Sequence, residues 1–251
     1  MKRIAVIGTG HMGAPIARAL HQAGMEVIVA NRTVAKAEAV ASGCEGMQVA
    51  LDAPAASREA DVVVLAVKPH LLLEVMAQCI TVNPGAAYVS LAPGISLREL
   101  EERGATLALR LMPNVAIAQG EGMSFICHNE AAASVATELV QTLGATGSVA
   151  IVEERLFEPA MQVTSCGIAY ALRYVRAGAE AAVALGIRPD DATAYIAQTL
   201  RGTAALLEAH PGVNPEALID TVTTPGGTTI RGLLAMERAG FSAAVAAGLL
   251  S

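Results

Sequence analysis

The chain contains no tryptophan, and aromatic residues make up only 3% of its 251 positions. A core built on large aromatic rings is excluded. The 53% hydrophobic content, much of it alanine, points instead to closely packed helices. Long apolar runs are also missing. None approaches the ~18 residues that a helix needs to cross a bilayer, so no membrane partner is expected. Basic charge is scarce as well: 17 Lys and Arg stand against 23 Asp and Glu, a formal net charge of −6. That balance argues against nucleic acid or an anionic membrane surface as the main partner. Cys44, Cys79, Cys127 and Cys166 are scattered without any C-x-x-C spacing. Neither a metal site nor a disulfide frame is expected from them, and reduced, small apolar cysteines suit a cytoplasmic protein. Lys2 and Arg3 before an apolar stretch imitate the start of a signal peptide, but that stretch has a better use as a strand.

What the sequence does have begins with that stretch. Ile4-Ala5-Val6-Ile7 reads as a buried strand that stops at Gly8, and Gly8, Gly10 and Gly13 fall in G-x-G-x-x-G spacing before a helical pattern. This is the order a dinucleotide site requires. Gly8 permits the tight turn, Gly10 lets the backbone approach a pyrophosphate, and Gly13 lets helix and strand pack closely. Thr9, His11 and Met12 complete the turn, whose N–H groups open a helix with its positive dipole end toward the phosphates. Apolar residues at Met12, Ile16 and Leu20 give that helix one buried face, and residues 26–30 form a second strand. An NAD enzyme usually places Asp or Glu after this strand to hold the ribose hydroxyls. Here Asn31-Arg32-Thr33 stands instead, with no carboxylate to repel a 2′-phosphate and a guanidinium and a hydroxyl to bind one. NADP(H) is therefore expected over NAD(H), and Thr33 is also a candidate helix cap.

Residues 61–67 form a near-continuous apolar run, typical of a parallel strand buried on both faces. Ligands of open α/β sheets bind beyond the carboxyl ends of the strands, which places Ala66, Val67, Lys68 and Pro69 near the cofactor. A strand over residues 88–92 brings Ala92 to the same edge, and a short helix covers residues 97–103. Strands at 106–111 and 122–126 are joined through Met112-Pro113-Asn114. Asn114 is either a partner for the nicotinamide carboxamide or a plain turn residue bonded to backbone. From about residue 153 strand signals vanish. Helices are expected at 167–185, 190–209 and 215–222 and from 230 onward, too apolar to stand free, so that they pack on a partner subunit. The expected architecture is α/β: a doubly wound, mostly parallel Rossmann sheet over residues 1–152, then an all-α dimerisation domain over 153–251.

A second anion-binding device precedes the last helical stretch. In Thr224-Pro225-Gly226-Gly227-Thr228-Thr229, two glycines let the backbone approach a ligand. The N–H groups of Gly227, Thr228 and Thr229 would face a small carboxylate, with the Thr229 hydroxyl beside the reacting centre. A capped helix after a Pro-Gly turn is the plainer reading of the same residues.

Together these segments resemble the pyrroline-5-carboxylate reductase family. The resemblance covers nearly the whole chain and rests on residues 8–13, Ala66-Val67-Lys68-Pro69-His70, Arg110-Leu111-Met112-Pro113-Asn114 and residues 224–229. It implies NADPH-dependent reduction of the C=N bond of 1-pyrroline-5-carboxylate to L-proline, by a homodimer or ring of dimers with sites shared between subunits. It also implies a substrate carboxylate held at Gly226 to Thr229 and catalytic roles for Thr229 and Glu154. One stretch departs from the family pattern: Ser-Gly-Ser-Gly-Pro-Ala-Tyr is replaced by Thr164-Ser165-Cys166-Gly167-Ile168-Ala169-Tyr170. This leaves two alternatives open, a reductase of another small cyclic imine and a non-catalytic NADP-binding regulator. The β-hydroxyacid dehydrogenases resemble the same architecture but place a catalytic Lys on the long helix, where this chain has Arg173 and Arg176.

Overall fold

Eight strands join into one sheet in the computed structural model, which describes residues 2–251. They are β1 (Arg3–Ile7), β2 (Glu26–Ala30), β3 (Gln48–Val49), β4 (Val62–Leu65), β5 (Ala87–Ser90), β6 (Leu107–Pro113), β7 (Gly122–His128) and β8 (Gly147–Ile151). Their spatial order is β3-β2-β1-β4-β5-β6-β7-β8. All neighbours run parallel except β6 and β7, so β7 and β8 descend while the others climb. The expected doubly wound, mostly parallel sheet is present. Val62, Val63, Val64 and Leu65 are all buried, as an apolar run in a central parallel strand requires.

Helices cover both faces. One core packs α1 (Gly13–Gln22), α2 (Val34–Ala41) and α6 (Ala133–Leu143) on the sheet through Ile16, Leu20, Ala37, Val40 and Leu139. The other packs α3 (Ala53–Ser57), α4 (Pro69–Val82) and α5 (Leu97–Glu102) through Ala56, Leu72, Met76 and Leu100. The spacing of Met12, Ile16 and Leu20 does lay α1 on the sheet. Its end at Gly24 takes a left-handed conformation, with φ of +83°. The helix that Thr33 was expected to cap is α2, whereas β3, α6 and β8 were not expected from the sequence.

The chain divides into two compact units, one up to Ser165 and one from Cys166 to Ser251. Residues 153–165, which the sequence assigned to the helical part, pack with the first unit. There α7 (Phe157–Met161) buries Phe157 completely in the second sheet-face core, and a π-helical turn follows over Gln162–Cys166. The second unit comprises α8 (Gly167–Ala184), α9 (Pro189–Ala209), α10 (Pro215–Thr221), α11 (Thr228–Arg238) and α12 (Phe241–Leu249). The single helical stretch expected after residue 230 is in fact two helices, broken at Gly240, where φ is +84°. Within this unit Gly178 lies so close to α9 that a Cβ would sit 2.8 Å from Ile196 Cδ1. The Tyr170 hydroxyl donates to the Gly248 carbonyl at 2.7 Å, closing α12 onto α8. Ala192 is nevertheless the one residue classed as buried among those described in this unit, while Leu172, Leu185, Tyr195, Val222, Leu234 and Leu250 are exposed. No described helix is long and apolar enough to cross a membrane.

Cys44, Cys79 and Cys127 are buried, and only Cys166 is exposed. Burial pushes the Cys127 thiol up to about 12 and raises Cys79 and the Tyr88 phenol as well. These groups hold their protons to higher pH in the fold than in the unfolded chain. Their contribution to stability is fully present below their ordinary values, about 8.5 for the thiols and about 10 for the phenol, and is lost as pH rises toward the folded values. Ellman's reagent at pH 8 is expected to titrate no more than one thiol in the native protein and four in denaturant. Chemical denaturation should show stability falling on the alkaline side of those ordinary values.

Candidate active site

The glycine turn is shaped by contacts that admit no side chain. Gly8 has φ of +100° and donates its N–H to the Ala30 carbonyl at 2.7 Å, tying the end of β1 to β2. A Cβ on Gly8 would lie 2.6 Å from the Ala66 carbonyl oxygen; one on Gly13 would lie 1.9 Å from the Gly8 oxygen and 2.8 Å from Ala66 Cβ. A Cβ on Gly10 would meet nothing within 4 Å, so open space lies above the middle of the turn. The helix that follows has Met12 at its N-cap with no side-chain acceptor; Ala14 N–H is taken by the Gly10 carbonyl at 3.1 Å and Pro15 has none, so Gly13 carries the free N–H of this first turn. Thr9 is 8% exposed, and its Oγ1 is buried without a hydrogen-bond partner. A free N–H, open space and an orphaned hydroxyl at one turn fit a dinucleotide pyrophosphate.

The cofactor candidates from the sequence do collect along one edge. Ala66 N–H donates to the Ile7 carbonyl and Leu91 N–H to the Leu65 carbonyl, so the segments after β1, β4 and β5 stand side by side beyond the strand ends. Ala66 and Val67 are half-buried there, Lys68 is exposed at the N-cap of α4, and Pro69 is its first residue. Ala92 is buried with its N–H on Ser90 Oγ at 3.2 Å, and His11 is exposed. Past β2, Asn31 accepts from Thr9 N–H at 3.3 Å and donates to the Thr33 carbonyl at 3.0 Å. Its amide is thus spent on bracing the turn and not left for the ribose. Thr33 occupies the N-cap of α2 without making a side-chain cap bond. Arg32 is exposed with no partner among the described residues, so neither side chain is spent within the fold.

Two residues have more local uses than the sequence suggested. Asn114 is buried at the end of β6; its Oδ1 accepts from Ala116 and Met123 N–H, and its Nδ2 donates to the Thr164 carbonyl at 3.3 Å. Of the two readings for Asn114, the backbone one is what the structure displays. Glu154 Oε1 accepts from Leu97 N–H at 2.6 Å and from Arg110 at 3.2 Å, and Glu158 Oε1 accepts from Arg110 and from Gly94 N–H at 3.3 Å. The Glu154 carboxylate is therefore committed to a cation and a helix end. Sequence reasoning gave no role to Arg110 or Glu158, although a lone charge within Leu107-Ala108-Leu109-Arg110-Leu111-Met112 signals a buried ion pair.

In the helical unit, the second glycine turn precedes α11 as expected. Gly226 has φ of +70°, and a Cβ on Gly227 would lie 2.5 Å from Thr224 Oγ1. One expectation needs correction: Gly227 N–H does not face outward, because it closes the turn on the Thr224 carbonyl at 2.9 Å. Thr228 and Thr229 start α11 without a side-chain cap, and both are exposed, so their N–H groups remain available.

The strand order, the glycine turn and the uncapped helix above it define a dinucleotide-binding Rossmann protein with a helical second unit. Residues 154–251 match the family described as "Pyrroline-5-carboxylate reductase dimerisation", and residues 3–94 match "NADP oxidoreductase coenzyme F420-dependent". Pyrroline-5-carboxylate reductase 3 of Macaca fascicularis is 34% identical over 97% of this chain and 90% of its own. Pyrroline-5-carboxylate reductase 2 of Dictyostelium discoideum is 30% identical over 99% and 90%. The solved pyrroline-5-carboxylate reductase of Coxiella burnetii superposes with a TM-score of 0.87, at 27% identity over 98% of this chain and 94% of that one. The chain belongs to the pyrroline-5-carboxylate reductase family.

The glycine contacts separate binding from folding. Gly10→Ala should unfold at the parental temperature yet lose dinucleotide affinity, because its methyl enters the open space. Gly13→Ala should lose roughly 3 kcal/mol or fail to fold, because its methyl meets fixed backbone. Calorimetric melting alongside dinucleotide titration checks both.

Proposed function

We propose that the chain reduces 1-pyrroline-5-carboxylate to L-proline with NADPH, the last step of proline synthesis. The observation that carries this reading is similarity of 34% identity to a named pyrroline-5-carboxylate reductase along nearly the entire chain. The Plasmodium falciparum pyrroline carboxylate reductase, whose structure has NADP bound, shares the fold with a TM-score of 0.86 at 20% identity. When bound, NADPH supplies the hydride that adds to the imine carbon. Gly8, Gly10 and Gly13 shape the turn, and its N–H groups up to Gly13, the first residue of α1, hold the pyrophosphate. Arg32 and Thr33 take the 2′-phosphate, where no carboxylate opposes it.

The substrate is a five-membered imine bearing a carboxylate. Proton uptake on its ring nitrogen gives an iminium that accepts hydride readily, so the protein need not supply a strong acid. The N–H groups of Thr228 and Thr229 clamp the carboxylate, with Gly226 shaping the turn. Thr229 Oγ1 accepts from the protonated ring nitrogen and fixes the ring's orientation. Such positioning removes several kcal/mol, on the order of 7 or more in the best cases, from the barrier. The helical unit pairs with its twin as a homodimer, the building block of a ring of dimers, which its exposed apolar side chains support. The buried, unpaired thiols suit the cytoplasm.

A second reading, reduction of another small cyclic imine, is favoured by Cys166 and Ile168 in the stretch that departs from the family pattern. NADPH oxidation with a panel of cyclic imino acids distinguishes the two, and turnover of pyrroline-5-carboxylate slower than of another imine would overturn the first. NADPH binding with no turnover of any imine would point to a regulator. Thr229→Ala should cut kcat about a hundredfold, the scale for losing a transition-state hydrogen bond. Arg32→Ala should raise KM for NADPH about tenfold and leave KM for NADH unchanged.

A further inference from the structure

Arg110 is 3% exposed and is the only charged residue buried among those described. Its guanidinium lies 4.1 Å from the centre of the Phe157 ring. The two carboxylate oxygens that receive it, on Glu154 and Glu158, also receive the N–H groups of Leu97 and Gly94. A cation on β6 thus reaches the loop after β5 through two carboxylates carried by residues 154–158. Hydrophobic residues of similar volume in place of a buried ion cluster are often neutral or stabilising, so stability alone does not explain it. What a leucine cannot supply is direction: the fork fixes two oxygens, and the oxygens fix two backbone N–H groups.

That loop matters because of where it stands. It leaves the carboxyl end of β5 beside Ala66 to Pro69, on the half of the sheet beyond the β1/β4 switch point. We infer that Arg110, acting through Glu154 and Glu158, is a positioning residue that holds the loop over residues 92–97 in place against the nicotinamide half of the coenzyme. This inference rests on the NADPH reading above. It makes Glu154 a hydrogen-bond acceptor and not a proton donor, and it predicts that the clamp governs coenzyme affinity more than imine affinity.

The test compares Glu158→Ala, Glu158→Gln, Glu154→Gln and Arg110→Lys by fluorescence titration of NADPH, KM for both substrates, the pH–rate profile and thermal melting. Glu158→Ala should raise Kd and KM for NADPH about five- to tenfold, as expected for losing charge-assisted bonds, with KM for the imine within about twofold. Glu158→Gln should recover part of that loss, since its amide oxygen still accepts from Gly94 N–H but carries no charge toward Arg110. Glu154→Gln should keep the parental pH–rate profile, since Glu154 acts as an acceptor and transfers no proton. Arg110→Lys, which keeps the charge without the fork, should weaken NADPH binding even if Glu158→Ala fails to fold. Parental NADPH affinity in folded Glu158→Ala or Arg110→Lys, or a shifted pH–rate profile in Glu154→Gln, would overturn the clamp alone. A parent chain that binds no NADPH would instead overturn the site reading on which it rests. A parent that binds NADPH but spares pyrroline-5-carboxylate would change the substrate while the titrations still judge the clamp.

Discussion

The first unit depends on how closely α1 approaches the strand that feeds it. With a Cβ at Gly13 only 1.9 Å from the Gly8 oxygen, the helix is seated at a distance no side chain permits. Ala66 at the end of β4 is the third member of this contact, so the switch point of the sheet and the mouth of the helix are set together. A helix held farther out would aim its N–H groups past the crevice. The open turn is therefore a consequence of packing, and the Thr9 hydroxyl is the polar atom that packing leaves without a partner there.

The sheet then solves a routing problem. Six parallel strands end on one edge, but the reversal at β7 carries the chain away from it. Residues 153–165 bring it back, held to β6 at one point by Arg110 and at another by Asn114. One strand thereby anchors both ends of the return path. The π-helical turn at Gln162–Cys166 follows directly, a local irregularity at the point where the first unit ends.

The parts legible in the sequence were those with a strong period or a steric requirement. The glycine turn, the buried run at β4, the break at Gly24 and the long helices α8 and α9 all declare themselves through spacing and punctuation. The parts that were not legible lack such signals. β3 has two exposed residues, and α6 follows a 3-10 turn that blurs its start. At the site, the sequence found the edge but not the allocation of hydrogen bonds along it. Asn31, Asn114 and Glu154 have the right chemistry for a ligand, yet each is consumed by backbone or by Arg110 from elsewhere in the chain. Which partner a polar side chain takes is a tertiary fact, whereas a positive φ or an apolar run is a local one.

The helical unit has a consequence beyond catalysis. Its helices hold one another through Gly178 against Ile196 and Tyr170 against Gly248, yet they enclose almost nothing of their own. The free energy that keeps such a unit folded has to come in part from whatever covers its apolar side chains. Its melting temperature then becomes a function of how much protein is in the tube, and dilution does to it what heat does to a self-sufficient domain.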